Sequence, residues 1–130
     1  ANDLGSVTTV KGGLTVEGPM ILEQSAVSNL SDDSSIPVTN ATARVDANGS
    51  ARTGIRFSGA GTAGQFLTVI NTGGENLTFH PTEGTALIRG TNTNKDTIRP
   101  GEAHLFISDG SLWNHVGGGT TDEGGGMTPG

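Results

Sequence analysis

The chain has 130 residues, a formal net charge of −6, no cysteine, and 22 glycines. That length fits one domain, and the missing thiols exclude disulfides, cysteine nucleophiles and thiolate metal sites. An acidic chain with its two Lys and five Arg dispersed lacks the basic stripe that counterion release onto nucleic acid requires, and no stretch approaches the ~20 consecutive apolar residues of a membrane span.

The N-terminus, Ala1-Asn2-Asp3-Leu4-Gly5, lacks the basic and apolar regions of a secretory signal. Ala1 is what remains when an initiator Met is cut before a small residue, so the chain is expected to be complete, made in the cytosol and soluble. Glycine recurs about every six residues, and each costs a helix ~1 kcal/mol, which excludes a helical protein. Short strands between turns are expected instead. Val7-Thr8-Thr9-Val10 precedes Lys11-Gly12-Gly13; Leu14-Thr15-Val16 alternates and is broken by Gly18-Pro19. Met20 to Val27 fits either a helical turn, with Leu22, Ala26 and Leu30 spaced by four, or a strand from Pro19 to Ala26. Ile36-Pro37-Val38-Thr39 can only be an edge strand, because Pro37 donates no hydrogen bond. Thr42 to Val45 runs into Asn48-Gly49, a strong hairpin signal, and Arg52 to Phe57 follows with Ile55 and Phe57 on one face.

The richest stretch begins at Gln65. Gln65 to Ile70 is an apolar strand, turned by Asn71-Thr72-Gly73-Gly74 and returned by Glu75 to Phe79, with Leu77 and Phe79 sharing a face. Thr85 to Ile88 reads as a strand, Gly90 to Asp96 as a polar loop. Arg99-Pro100-Gly101-Glu102 turns into Ala103 to Ser108, Asp109-Gly110 signals a second hairpin, and Ser111 to Val116 closes the domain. All five aromatics (Phe57, Phe66, Phe79, Phe106, Trp113) lie between 57 and 113, so the second half of the chain is expected to hold a self-sufficient core. The last fourteen residues carry seven Gly and no Leu, Ile, Val or Phe, and alone form a flexible coil. Leu, Ile, Val and Phe total only 28 residues, about 22 % of the chain, barely above the ~20 % typical of disordered sequences. Thin burial points to oligomerisation or attachment to a larger assembly as the missing source of contact area.

Chemistry-bearing motifs fail on context. Gly59-Ala60-Gly61-Thr62-Ala63-Gly64 imitates a dinucleotide fingerprint, but a strand rather than a helix follows, and Gly-Lys-Ser/Thr is absent. His80, His104 and His115 have no metal-ligand spacing, although a hairpin would make His104 and His115 cross-strand neighbours. A histidine cluster shared on a threefold axis is a variant of the same idea. Asp32-Asp33 and Asp46-Ala47-Asn48-Gly49-Ser50 echo calcium loops, yet Phe57 stands where a twelfth-position Glu is needed, and turn chemistry accounts for them. No Gly-x-Ser-x-Gly elbow is present. The residues name no catalytic site, no cofactor and no metal.

From Gly61 to Val116 the chain resembles virion structural proteins of tailed bacteriophages. The resemblance rests on the Gly-x-x-Gly-Gln turn and strand (Gly61 to Ile70), Asn76-Leu77-Thr78-Phe79, the Pro100-Gly101-Glu102 turn, Leu105-Phe106-Ile107, and Asp109-Gly110-Ser111-Leu112-Trp113. Gly12 to Pro19 is similar to strand-turn units of phage fibres. The resemblance implies an all-β, trimeric, non-enzymatic protein. Its short length makes it look like a head decoration (cement) protein on the capsid surface, with the major capsid protein as partner and neither nucleic acid nor membrane; a tail-fibre or receptor-binding module, using Gly90 to Asp96 and Asp32 to Ser35, is the alternative. A small enzyme or lectin-like domain is the third reading.

The expected architecture is a compact antiparallel β-sandwich or barrel-like domain. It divides into an N-terminal arm with the first strands (1–18), a β domain (19–116, best defined over 55–116) and a Gly-rich tail (117–130). Leu4, Val7, Val10 and Met127 are the expected partner contacts.

Overall fold

The computed structural model describes residues 7–80, 88–89 and 97–118. Every regular element among them is a strand, as the glycine spacing requires. The ten strands are β1 (Ser28–Asn29), β2 (Ser35–Ile36), β3 (Thr42–Asp46), β4 (Arg52–Phe57), β5 (Phe66–Asn71), β6 (Leu77–Phe79), β7 (Ile88–Arg89), β8 (Thr97–Ile98), β9 (Ala103–Ser108) and β10 (Trp113–Gly118). They form two sheets, a six-stranded one in the order β1-β3-β5-β9-β10-β7 and a four-stranded one in the order β2-β4-β6-β8.

The winding corrects two expectations. The first six strands alternate between sheets, so β1, β3 and β5 are mutually parallel in one, and β2, β4 and β6 in the other. Parallel neighbours need a crossover; here a strand of the opposite sheet provides it. The expected hairpins at Asn48-Gly49 and Asn71 to Gly74 are therefore corners that pass the chain from one sheet to the other. Asn48 and Gly49 do adopt the expected positive φ, 60° and 94°, but a turn residue specifies that the chain bends and not which sheet it joins. The sheets are mixed rather than antiparallel and do not close into a barrel, because β8, β9 and β10 run back antiparallel on β6, β5 and β9. The Asp109-Gly110 hairpin forms as expected between β9 and β10.

Backbone bonds stack each corner on the next. The Leu30 amide donates to the Asp46 carbonyl at 2.8 Å, Thr72 to Val45 at 2.8 Å and Arg52 to Asn76 at 2.9 Å. Asn71, fully buried, pins the third corner: its Nδ2 donates to the Glu75 and Ile98 carbonyls (2.7 and 2.9 Å) and its Oδ1 accepts the Gly73 amide.

Period-2 alternation turns one face of each long strand inward, and all the buried apolar residues form one cluster. The six-stranded sheet contributes Ala43, Val45, Leu67, Val69, Phe106 and Trp113; the four-stranded sheet contributes Ile36, Ile55, Phe57, Leu77, Phe79 and Ile98. Phe57 sits at the centre, its ring centroid 5.0 Å from Phe79, 5.1 Å from Phe106 and 5.2 Å from Trp113. Phe66, the fifth aromatic, points outward instead, opposite Ile107. The Gly59 to Gly64 loop closes one end of this core. Trp113 Nε1 donates to the Gly59 carbonyl at 2.8 Å, and Gly61, at φ 72°, lies so close to the indole that a Cβ would fall 2.7 Å from Cζ2. Gly61 serves a close approach of the backbone to the indole.

Residues 7–27 differ from the expectation most. Neither Val7 to Val10 nor Leu14 to Val16 is a strand, and Met20 to Val27 is not helical; one isolated parallel bridge, Gln24 to Thr42, ties the segment to β3. Alternation supplies a strand's side chains but does not itself recruit a neighbouring strand. At the other end β10 runs through Gly117 and Gly118, two residues into the segment read as tail.

Candidate functional site

Two features remain once the core is accounted for. The first is polar. Glu102, at the start of β9's turn, His104 on β9 and His115 on β10 form a hydrogen-bonded chain within an otherwise apolar layer. His104 is fully buried, with Nε2 3.0 Å from Glu102 Oε1 and Nδ1 3.0 Å from His115 Nε2. The Glu102 carboxylate accepts from His104 Nε2, and His104 Nδ1 and His115 Nε2 share one hydrogen bond whose donor is set by the tautomer. Glu102 Oε1 also accepts the Arg99 amide at 3.0 Å, whereas Oε2 is buried without a hydrogen-bond partner. Phe106 backs both imidazoles, its centroid 6.3 Å from His104 and 5.2 Å from His115. The cross-strand meeting of His104 and His115 is the one expected from the hairpin. His80 ends β6 and does not join them; among the described residues no group of three His, Asp or Glu side chains has the arrangement to hold a metal ion.

Ser108, the buried serine on β9, donates its Oγ to the Ala60 carbonyl and accepts the Gly110 amide. What Glu102, His104 and His115 do is tie β10 to β9 where a β-bulge shifts the register between His115 and Gly117. Sequence reasoning paired the histidines but missed Glu102; the pointer was its alternate position with His104 at the start of a strand.

The acidic corners are occupied by their own backbone. Asp32 Oδ1 accepts the Thr53 amide at 3.0 Å, Asp46 Oδ1 accepts the Asn48 amide at 2.7 Å, and Asp33 lies 3.8 Å from the Arg56 guanidinium. The Asp46 contact is local turn chemistry, whereas Asp32 and Asp33 reach across to Thr53 and Arg56 and tie the Asp32 to Ser35 loop to β4. The Gly90 to Asp96 loop lies outside the described residues.

The second feature is apolar and larger. Val7 is 85 % exposed, Val10 52 % and Ile21 91 %, and Leu14, Met20 and Leu22 are each more than half exposed. Of the four expected partner contacts, Val7 and Val10 therefore stand in solvent, away from the core; Leu4 and Met127 lie outside the described residues. A second patch lies on the outer face of the six-stranded sheet. Phe66 (59 % exposed) on β5 stands opposite Ile107 on β9, Leu105 follows on the same face, and Val116 is exposed on β10. Residues 7–22 thus carry a row of exposed aliphatics along one segment. No helix among the described residues is long and apolar enough to cross a membrane. Comparison of the chain with protein-family models, with curated proteins and with solved structures gave no match.

Proposed function

We propose that this protein is a structural component of a bacteriophage virion, a decoration protein that binds the outside of the head as an oligomer and stabilises it by burial between subunits. In this reading the two facing sheets are a β-sandwich, the major capsid protein is the partner, and the protein catalyses nothing. One observation carries it: the body closes its own apolar core, while the arm of residues 7–22 presents a row of aliphatics to solvent. Single chains rarely hold so much apolar side chain in water without a partner. The phage assignment within that reading comes from the resemblance of Gly61 to Val116, and the net charge of −6 suits a protein displayed on a particle surface, where like charge keeps particles apart.

The test is addition of purified protein to undecorated phage heads, followed by imaging. Density at every equivalent position of the shell, with heads more resistant to heat, is the expected result. A few copies at the tail would transfer the protein to a fibre, and no binding to any particle would overturn the virion assignment.

A further inference from the structure

We infer that the acceptor for the arm is the outer face of the six-stranded sheet in a second copy of the same chain, so that the protein assembles by arm exchange. The inference rests on the reading above that the arm is an intermolecular contact, and adds what it touches.

The direction in which the arm leaves the body is the first argument. Gln24 bridges Thr42, the first residue of β3, in the parallel sense, and the Ser25 amide donates to the Thr42 carbonyl at 2.8 Å. Residues before Gln24 therefore run off past the starting end of β3. Residues 7–23, if extended, reach roughly 55 Å at ~3.3 Å per residue. The outward Phe66 of the same molecule lies only two strands in from β1, roughly 10 Å at ~4.8 Å per strand. Doubling back onto that patch would leave most of the arm unused, and the exposures of Val7 and Ile21 show that it does not double back. Its reach suits a neighbouring molecule.

Area is the second argument. The aliphatics of the arm, at the exposures observed, present on the order of 700 Å² of surface, close to the ~800 Å² that each partner contributes to a standard stable interface. The acceptor offers a smaller apolar patch: Phe66 and Val116 are each more than half exposed, and Leu105 and Ile107, partly exposed, lie in adjacent rows between them. Neither surface is used by the core. An arm-to-face contact joins two different patches, so it closes either by reciprocal exchange in a dimer or head-to-tail in a ring.

The absence of cysteine gives a clean test. In the full chain carrying Ile21→Cys and Phe66→Cys, mild oxidation should link one copy to the next, giving covalent dimers or closed rings on non-reducing gels. A monomeric product with an internal bridge would overturn the proposal in favour of self-docking, and no bridge would overturn it outright. Independently, Leu14→Asp/Ile21→Asp and Phe66→Asp should each sediment as monomers with an unchanged near-ultraviolet spectrum, since these side chains lie outside the core. Mixed together they should recover association, because the first retains an intact face and the second an intact arm. Failure to recover it, or a monomeric parent chain, would refute arm exchange. Head binding is scored separately: a monomer that still decorates heads would sink the exchange and keep the function, and an arm-linked oligomer that ignores heads would do the reverse.

Discussion

Gly61→Ala is the sharpest test of the packing around Trp113. Gly61 sits at φ 72°, where an L-residue pays about 1–2 kcal/mol. Its new Cβ would lie 2.7 Å from Trp113 Cζ2, 2.9 Å from Cη2 and 2.9 Å from Gln65 Oε1. The indole has little room to retreat, being fully buried, tilted against Phe57 and bonded through Nε1 to the Gly59 carbonyl. Overpacking of this kind costs about 1–3 kcal/mol, so the total is about 2–5 kcal/mol. Gly64, in the same loop, supplies the control: its φ is 89°, but no atom lies within 4 Å of an added Cβ. Gly64→Ala should therefore cost only the backbone part, about 1–2 kcal/mol. Equilibrium urea unfolding measures both, and the single tryptophan reports the transition. In a Trp113→Phe background, which removes the outer edge of the indole, the penalty for Gly61→Ala should fall toward that for Gly64→Ala. Equal costs for the two alanines in the parent chain would show that the indole does not lie where the structure puts it.

Trp113→Ala should cost about 3–5 kcal/mol, as large truncations in closed cores do; an unchanged melting temperature would place the ring outside the core. Asn71→Leu should lose about 2–4 kcal/mol, because the Ile98 carbonyl, the Glu75 carbonyl and the Gly73 amide all lose their partner, and hydrogen exchange should show the Gly73 amide opening first. His104→Phe should cost about 1–3 kcal/mol, because Glu102 Oε1 then keeps only the Arg99 amide, whereas adding Glu102→Leu to it should restore part of the loss. Additive losses in that pair would mean that the two side chains do not interact.

Much of the body was legible because it depends on local rules. Alternation located β3, β4, β5, β6, β9 and β10 and chose their inward residues, Ile55 with Phe57 and Leu77 with Phe79 among them. Pro37 confined β2 to an edge, and Asp109-Gly110 made its hairpin. What was not legible was which strands pair. Asn48-Gly49 and Asn71 to Gly74 specify bends, and whether a bend makes a hairpin or a corner is decided by bonds to residues far along the chain, such as Leu30 to Asp46 and Thr72 to Val45. The two-residue strands β1 and β8 have no period to read; they exist because β3 and β6 offer an edge. Of the polar chain, the histidine pair followed from the hairpin, and Glu102 was hidden by its place in a turn. The arm's aliphatics were visible in the sequence, but only the structure shows that none of them enters the core.

The winding also decides whether the aromatic half can fold alone, as its composition suggests. A fragment starting at Ile55 keeps the four core aromatics but loses β3, which covers β5 along Thr42 to Val45, and β2, which covers β4 at Ser35 and Ile36. It also loses Leu30, Ile36, Ala43, Val45 and Ala47 from the single core cluster. Leu30, Ile36 and Val45 alone contribute about 5–9 kcal/mol at ~1.5–3 kcal/mol for each fully buried aliphatic, against a net stability of about 5–15 kcal/mol for a domain. The fragment should therefore collapse without fixed packing, with weak near-ultraviolet dichroism, a broad melt and water-exposed Trp113 emission. A chain starting at Glu23 removes as much of the arm as possible, keeps the Glu23 carbonyl that accepts the Thr42 amide, and loses no core member; it should melt cooperatively. If the Ile55 fragment melts as sharply as the Glu23 chain, the interleaved coil is not what holds the two halves together, and the parallel pairing of β3 with β5 is wrong.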